Sequence, residues 1–457
     1  MILENKSKGA NPFTDEINTE VTLTRSVAQY ENLSQRFVCL KRDFKRQFAH
    51  IYACRLKSMK ESVIQSSVAK WGKNIPIRKL TDLTEENDEK CIVIGTLFKH
   101  QELKPSILKE ISEEQQVTPQ PVISSFMSEN DELVLEDEMQ RIKLEGNINV
   151  KKMITGIVVA LLGFETSDGK FVVEDVCFAG ANAYPEKPLP LAENSYMLLV
   201  SGLNVKASHN ILALELLTDW IKGEFGSIAD QRNSAKVCRV VIAGNSVGCS
   251  DSSTGTYVVN TDLEEEIGTL NAIQQLDEAL ADMAGTVEVD IMPGECDPSN
   301  HIIPQQPFYD CVFPKSSAYA SFQPVTNPYE CSVAGIRLLG TSGQPVDNIK
   351  AFSDFDDSLD ILENTLMWGH LAPSAPDTLG CYPYYNEDPF IITHQPHIYF
   401  VGNQKEYKTK TVSSNDIIFF PAGFKTQLIS VPTFYNTQTC VLISLNNLES
   451  TPLTFKV

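Results

Sequence analysis

The chain has no Cys-x-x-Cys pair, no Gly-x-x-x-x-Gly-Lys phosphate loop and no apolar run long enough to span a membrane. These absences exclude zinc knuckles of the usual spacing, P-loop nucleotide chemistry and a membrane helix as working assumptions. Basic residues are also in short supply. Lys and Arg number 38 against 59 Asp and Glu, a formal charge of −21. Non-specific DNA affinity comes from Lys and Arg displacing counterions, so contact with DNA is expected to be weak or indirect. The opening residues, MILENKSKGANPF, lack the apolar core of a signal peptide. We therefore expect the 11 scattered cysteines to be reduced, mostly buried thiols.

What is present is enough for several domains: 457 residues, of which 42% are hydrophobic. Residues 1–30 read as a polar tail that is mobile or partner-dependent. Phe37, Leu40, Phe44, Phe48, Ile51 and Tyr52 recur at helical spacing, opposite Lys41, Arg42, Lys45, Arg46, Arg55 and Lys57. Residues 31–80 are thus expected to form an amphipathic basic helical segment. Its basic face is either a solvated surface or a local contact for DNA or an acidic partner.

From Lys90 the period changes. Cys91–Phe98, Leu133–Glu138, Arg141–Gly146, Ile154–Gly163 and Phe171–Phe178 read as short strands, the last two joined by a turn at Ser167–Lys170. These strands suit an OB-type Greek-key barrel over residues 81–190, closed by the Pro-rich stretch Tyr184–Pro190. Beyond it, strands are expected at Tyr196–Val200, Val237–Ala243 and Val287–Ile291. They alternate with a helix at Asn210–Lys222 and one whose face carries Leu263, Ile267, Leu270, Ile273, Leu276, Leu280 and Met283. This is an α/β pattern with sites at strand ends. Ile336–Gly340, Ile398–Gly402, Ile417–Phe420 and Thr439–Ile443 supply further strands, expected as the second half of one sandwich over residues 191–457.

The strand ends read Ser201-Gly202-Leu203-Asn204, Gly244-Asn245-Ser246-Val247 and Gly294-Glu295-Cys296-Asp297, with Gly402-Asn403-Gln404-Lys405 later. Their order resembles the calcineurin-like metallophosphoesterases. In that family the ends carry Asp-x-His, Gly-Asp, Gly-Asn-His and Gly-His-x-His, ligands for two metal ions. Here Gly202 stands where the first Asp would be, and Asn204 where the first His would be. Asn245 replaces the bridging Asp, and Glu295 and Cys296 replace Asn and His. Asn403 stands near the end where a His would be, and Lys405 puts a cation where a metal would sit. The site reads as dismantled: no catalytic residue, no metal and no cofactor. The alternative is a residual Mn-dependent phosphodiesterase or nuclease using Glu295, Cys296 and Asp297, with His301 near in sequence and other histidines brought in by the fold; His370, one histidine in a suitable place, is not by itself a binuclear site. His394 and His397 flank Pro396, which breaks any helix, so they read as ordinary hydrogen-bonding residues. Cys381-Tyr382-Pro383-Tyr384-Tyr385 reads either as an exposed interface run or as internal packing.

The pairing of an OB barrel with a ligand-poor phosphoesterase-like domain resembles the small B-subunits of eukaryotic replicative DNA polymerases, and in detail the polymerase delta branch. The segments DELVLEDEMQRIKLEG, DGKFVVEDVCFA, VDIMPGECDPSN, VTNPYECSVAGIRLLGTSGQPVDNI and DPFIITHQPHIYFVGN carry the resemblance. It runs from about residue 45 to the C-terminus. It implies an α+β and α/β chain: an OB-type β-barrel plus a catalytically inactive calcineurin-like phosphoesterase domain, a β-sandwich flanked by helices. It also implies a nuclear, non-catalytic scaffold for DNA replication and repair. The partners so implied are the cysteine-rich C-terminal domain of the catalytic subunit of polymerase delta and a third accessory subunit. A share in the translesion polymerase zeta assembly is implied as well.

Overall fold

The computed structural model describes residues 23–40, 43–83, 89–105, 125–181, 194–206, 211–248, 263–413 and 425–456, with the side chains of 263–267 left aside. Residues 1–22, the Pro-rich stretch 184–190 and the strand expected at 417–420 lie outside them.

Residues 23–32, the described part of the expected tail and its continuation, lie as a strap on the fold. Strand β1 (Tyr30–Asn32) adds to the edge of a sheet. Upstream of it, Arg25 donates to Ser234 O at 3.0 Å and Ile221 O at 2.5 Å, and Ser26 N donates to Ala235 O at 2.8 Å. The expected helix from Phe37 is absent: Ser34–Phe37 is a 3-10 turn, and helix α1 (Ala49–Trp71) starts later. The cause is local. Gln306 Nε2 donates to Phe37 O at 3.0 Å and Gln306 Oε1 accepts from Cys39 N at 2.9 Å, so a side chain takes backbone groups that a helix would pair. Phe37 is fully buried while Phe44 and Phe48 are exposed, so these residues do not share one face.

Helix α1 buries Ile51, Arg55, Leu56, Met59, Val63 and Ser67 along one stripe and ends at Gly72, whose N–H reaches Val68 O at 2.9 Å. Each buried aliphatic contributes about 1.5–3 kcal/mol. The stripe lies on a barrel. Strand β2 (Ile77–Arg78) leads into β3 (Cys91–His100), β4 (Glu132–Glu136), β5 (Arg141–Gly146), β6 (Val158–Glu165) and β7 (Lys170–Phe178). The order is β3-β4-β5-β7-β6, and β6 pairs back on β3 from Cys91↔Gly163 to Thr96↔Val158. This closed five-strand order is the OB-type barrel. Strand β3 is buried on both faces because α1 covers one side and the barrel interior the other.

Two six-stranded sheets follow. Strand β8 (Tyr196–Val200) is followed by helices α2 (Leu212–Lys222) and α3 (Ile228–Ala235). Then come β9 (Val237–Ala243), α4 (Leu263–Ala284) and β10 (Glu288–Met292). Strands β8, β9 and β10 pair in parallel, as the strand–helix alternation requires. On α4, Leu276, Leu280 and Met283 are buried, whereas Leu270, expected on the same face, is exposed. The first sheet is completed by β11 (Phe322–Pro324), by β17 (Thr439–Ser444), which returns from the C-terminal part, and by β18 (Ser450–Thr454), in the order β11-β10-β9-β8-β17-β18. The second is built from β12 (Tyr329–Val333), β13 (Ile336–Thr341), β14 (Ile398–Gln404), β15 (Lys408–Ser413) and β16 (Lys425–Pro432), with β1 on its edge. Helices α5 (Gln344–Phe352) and α6 (Ser358–Trp368) pack with this second sheet, and Leu339, Val401 and Leu428 lie in one core with Leu359 and Leu362. Apolar side chains from both inner faces, among them Leu199, Val241, Tyr329, Leu338, Phe400 and Ile429, form the core between the sheets.

Barrel and sandwich share a further core, pinned by one buried cation. Arg55, read from the sequence as part of a basic surface, is fully buried. Its Nε donates to Asp388 Oδ2 at 2.7 Å, and its other nitrogens donate to Gly156 O at 3.1 Å, Pro373 O at 2.7 Å and Ala375 O at 2.7 Å. His370 Nε2 also meets Asp388 Oδ2, at 2.9 Å, while Ala372 N donates to His370 Nδ1 at 3.2 Å. A backbone N–H only donates, so Nδ1 carries the lone pair and the ring is the neutral Nε2–H tautomer. Burial, together with the Arg55 cation, accordingly holds His370 down at about 4.

The sign of the resulting pH dependence follows. An unfolded histidine binds its proton near 6.5 and the folded one only near 4. The unfolded state therefore gains protons first on acidification, and stability falls as pH drops through that window. Between pH 7.5 and 5 the loss from His370 is about 2 kcal/mol. The drop in unfolding free energy between the two pH values, taken from urea melts, should be smaller in His370→Gln than in the wild type by about 2 kcal/mol. Equal acid sensitivity would contradict the assignment.

Candidate functional site

Parallel strands end on the same side of a sheet, so β8, β9 and β10 deliver their following turns to one rim. The other sheet delivers β13 and β14 there too. Gly202 N donates to Gly244 O at 2.9 Å, and Asn204 N donates to Asn245 O at 3.0 Å. Cys296 N donates to Asn245 Oδ1 at 3.1 Å, and Asn403 N donates to Ser201 Oγ at 2.9 Å. The four turns singled out from the sequence thus meet at one place.

Much of the side-chain chemistry here is that of neutral amides. Asn403 Nδ2 donates to Ser342 O at 2.7 Å and Ala243 O at 3.2 Å; two carbonyl partners fix the orientation of the amide. Asn327 Nδ2 donates to Gln305 Oε1 at 2.8 Å, and its Oδ1 accepts from Ser342 N at 3.1 Å. Gln344 Nε2 donates to the same Gln305 Oε1 at 2.9 Å, and Gln305 Nε2 donates to Gly294 O at 2.8 Å. Gln305, Asn327 and Gln344 were missed in the sequence, since an isolated amide carries no spacing signal. Asn327 itself precedes a cis proline, Pro328, in the segment VTNPYE.

Asp297 is the buried acid of the group, and its oxygens are already used. Val247 N donates to Oδ1 at 2.9 Å and Gly294 N to Oδ2 at 2.8 Å. Burial pushes this carboxyl up to about 6 against those bonds. Glu295 is exposed and lines an open cleft of about 300 Å³ with His301, Gln344 and Asp347. Cys296 is disulfide-bonded, which removes it as a thiolate nucleophile and departs from the expectation of reduced thiols throughout. Lys405 is exposed. The ammonium beside this strand end is that of Lys350, which donates to Gln404 Oε1 at 2.9 Å.

The same β9 turn, Gly244-Asn245-Ser246-Val247-Gly248, carries the letters of a Gly-x-Ser-x-Gly nucleophile elbow. Ser246 is fully buried and, among the described residues, its Oγ has no hydrogen-bond partner and so no base beside it.

The other residues raised by sequence lie elsewhere. His370 belongs to the Arg55 cluster. His397 Nδ1 accepts from Arg337 N at 3.0 Å, and His394 bonds Thr393 Oγ1 at 3.1 Å, the ordinary roles expected of them. In the Tyr-rich run, Cys381, Tyr382 and Pro383 are buried, Tyr384 is half-buried and Tyr385 is exposed, so most of it packs internally.

A pair of metal ions does not fit this rim. Gly202 offers no donor, and a Cβ there would stand 2.6 Å from Asn403 Oδ1 and 2.6 Å from Thr433 Cγ2. Asn245 and Asp297 spend their oxygens on backbone N–H groups. Among the described residues no group of three or more His, Cys, Asp and Glu side chains is placed to hold a metal. The buried carboxylate between the β9 and β10 turns, Asp297, already accepts from Val247 N and Gly294 N, so it is not open to bridge two cations.

Comparison with known proteins agrees on kinship. Residues 47–176 match the DNA polymerase delta subunit OB-fold domain, and residues 197–410 match the family of DNA polymerase alpha/epsilon B-subunits. The chain is 41% identical to DNA polymerase delta subunit 2 of Drosophila melanogaster, covering 95% of this chain and 99% of that protein. It is 41% identical to the DNA polymerase delta small subunit of Arabidopsis thaliana, covering 96% and 98%. Against the Saccharomyces cerevisiae small subunit the identity is 32%, over 90% and 89%. With relatives this similar along nearly its whole length, the chain belongs to the family of DNA polymerase delta small subunits.

Proposed function

We propose that this chain is a non-catalytic scaffold of a nuclear DNA polymerase delta assembly, acting in replication and repair. It ties the catalytic subunit, through that subunit's cysteine-rich C-terminal domain, to a third accessory subunit. It serves the translesion polymerase zeta assembly in the same way, and it meets DNA only weakly or indirectly. The sandwich is read as a calcineurin-like phosphoesterase fold whose ligand positions Gly202, Asn204, Asn245, Glu295, Cys296, Asn403 and Lys405 no longer bind metal. Residues 191–457 are taken as that domain and 81–190 as the OB domain.

One observation carries the reading: the rim where four strand ends meet is filled mainly by amides and backbone groups bonded to one another, with Ser246 Oγ and Asn403 Oδ1 left without a partner among the described residues. A protein kept for hydrolysis would hold several anionic and imidazole donors there. A protein kept for its surfaces needs only that the rim be packed and rigid.

The test is a turnover assay on the purified chain with manganese and bis(p-nitrophenyl) phosphate. We expect release no faster than buffer with manganese, and the same trace from Asp297→Ala. Manganese-stimulated hydrolysis that disappears in Asp297→Ala would contradict the scaffold reading in favour of a residual phosphodiesterase.

A further inference from the structure

The segment before α1 presents an apolar surface that the fold leaves open. Phe44 is 61% exposed, Phe48 44% and Tyr385 47%. Phe44 and Tyr385 are drawn together by shared neighbours, and Phe48 lies between Phe44 and His50 in the chain. The Phe44 ring lies 5.5 Å from that of Tyr382, and the His50 ring lies 4.3 Å from that of Tyr385. The Arg46 guanidinium sits 5.0 Å from the Tyr385 ring centroid. Contiguous exposed apolar surface of this kind marks interaction sites rather than ordinary solvent faces. Exposed aromatics beside an arginine are the composition of interface hot spots.

The charge around the patch runs against that of the molecule. Residues 41–57 hold six Lys and Arg against one acid, Asp43, in a chain whose net charge is −21. Arg55 is spent in the core, and Arg46 meets Asp43 at 3.4 Å. Lys45 and Lys57 remain at the surface, and the acid following Tyr385 in the chain, Glu387, is exposed as well. A cationic rim around aromatic anchors selects an anionic partner that also carries apolar side chains.

We propose that Phe44, Phe48 and Tyr385 dock an acidic, amphipathic segment of a partner polypeptide, with Lys45, Arg46 and Lys57 reading its carboxylates. This rests on the scaffold reading above. Single-stranded DNA shares the anionic character, but stacking needs free ring faces. Here the Tyr385 ring is already met by His50 and Arg46, and the Phe44 ring by Tyr382.

The assembly is purified through a tag on the full-length chain, and carbodiimide, which joins amines to carboxylates at contact distance, is applied. Lys45 or Lys57 should be found joined to Asp or Glu of one partner polypeptide. In Phe44→Glu/Phe48→Glu that polypeptide should be lost at least tenfold while the melting temperature is unchanged, because both rings are at the surface. Lys45→Glu/Lys57→Glu should lower its retention at low salt and flatten the further loss in high-salt washes, because the charge pairs that salt screens are gone. Full retention of every partner in both double variants, with no crosslink at Lys45 or Lys57, would overturn the docking site alone. Three further outcomes would also overturn it: binding of a dT20 oligonucleotide that only the variants lose, a self-dimer dissolved by Phe44→Glu, or a crosslink to a second copy. A wild-type chain that brings down no polymerase subunit would instead defeat the scaffold reading.

Discussion

Arg55→Met should lower stability by about 4 kcal/mol, one of the two largest single-site effects expected in the molecule. The wild-type guanidinium satisfies four acceptors drawn from the barrel and from the loops after α6. Methionine fills much of the volume but leaves Asp388 charged and buried beside three carbonyls without their donor. An uncompensated buried charge is what makes such losses large. The structure also predicts where relief would come from. His370 is held neutral partly by Arg55 itself, so removing the cation lets His370 take a proton and pair with Asp388. The histidine should then titrate higher in Arg55→Met than in the wild type, visible as a shifted imidazole resonance. Arg55→Lys should fall between the two, since an ammonium carries the charge but not the fork. Limited proteolysis should cut the Met variant first between barrel and sandwich. A variant as stable as the wild type, with His370 unmoved, would refute the pin.

The second large effect is Gly202→Asp, which formally returns the first missing carboxylate to the rim. Gly202 has φ +62°, and any Cβ meets Asn403 Oδ1 and Thr433 Cγ2 at 2.6 Å. Left-handed backbone costs a non-glycine residue about 1 kcal/mol, and the collision with packed neighbours adds to it. We expect a loss of about 2–3 kcal/mol in urea melts. Manganese should give no upward shift of the melting temperature, because an ion that binds only the folded state would have to produce one. A manganese-dependent rise would mean that the rim still accepts metal and is one ligand short, rather than closed.

Much of this architecture could be read from side-chain period. The barrel strands and the alternation of β8, β9 and β10 with helices announced themselves through short apolar runs and turn residues. The strand ends at Gly202, Asn245 and Cys296 and the bulged end of β14 at Asn403 meet on one rim, because parallel strands end on the same side. What failed did so for non-local reasons. Phe37, Leu40, Phe44 and Phe48 imitate a helix face, yet Gln306, far along the chain, takes the backbone groups around Phe37. Arg55 looks like one more surface cation until Asp388 and three carbonyls arrive from distant segments. Leu270 fits the stripe of α4 by spacing, but the sheet does not reach it. The amide network at the rim left no trace at all, since Asn and Gln carry no periodic signal and are recognised only by what they touch.

The most direct test of the central claim is the composition of what this chain holds in its own cells. A tagged full-length chain, purified under native conditions and weighed by intact-complex mass spectrometry, should carry one large polymerase subunit, together with one further accessory subunit. A chain recovered alone, as a stable monomer, would contradict the account.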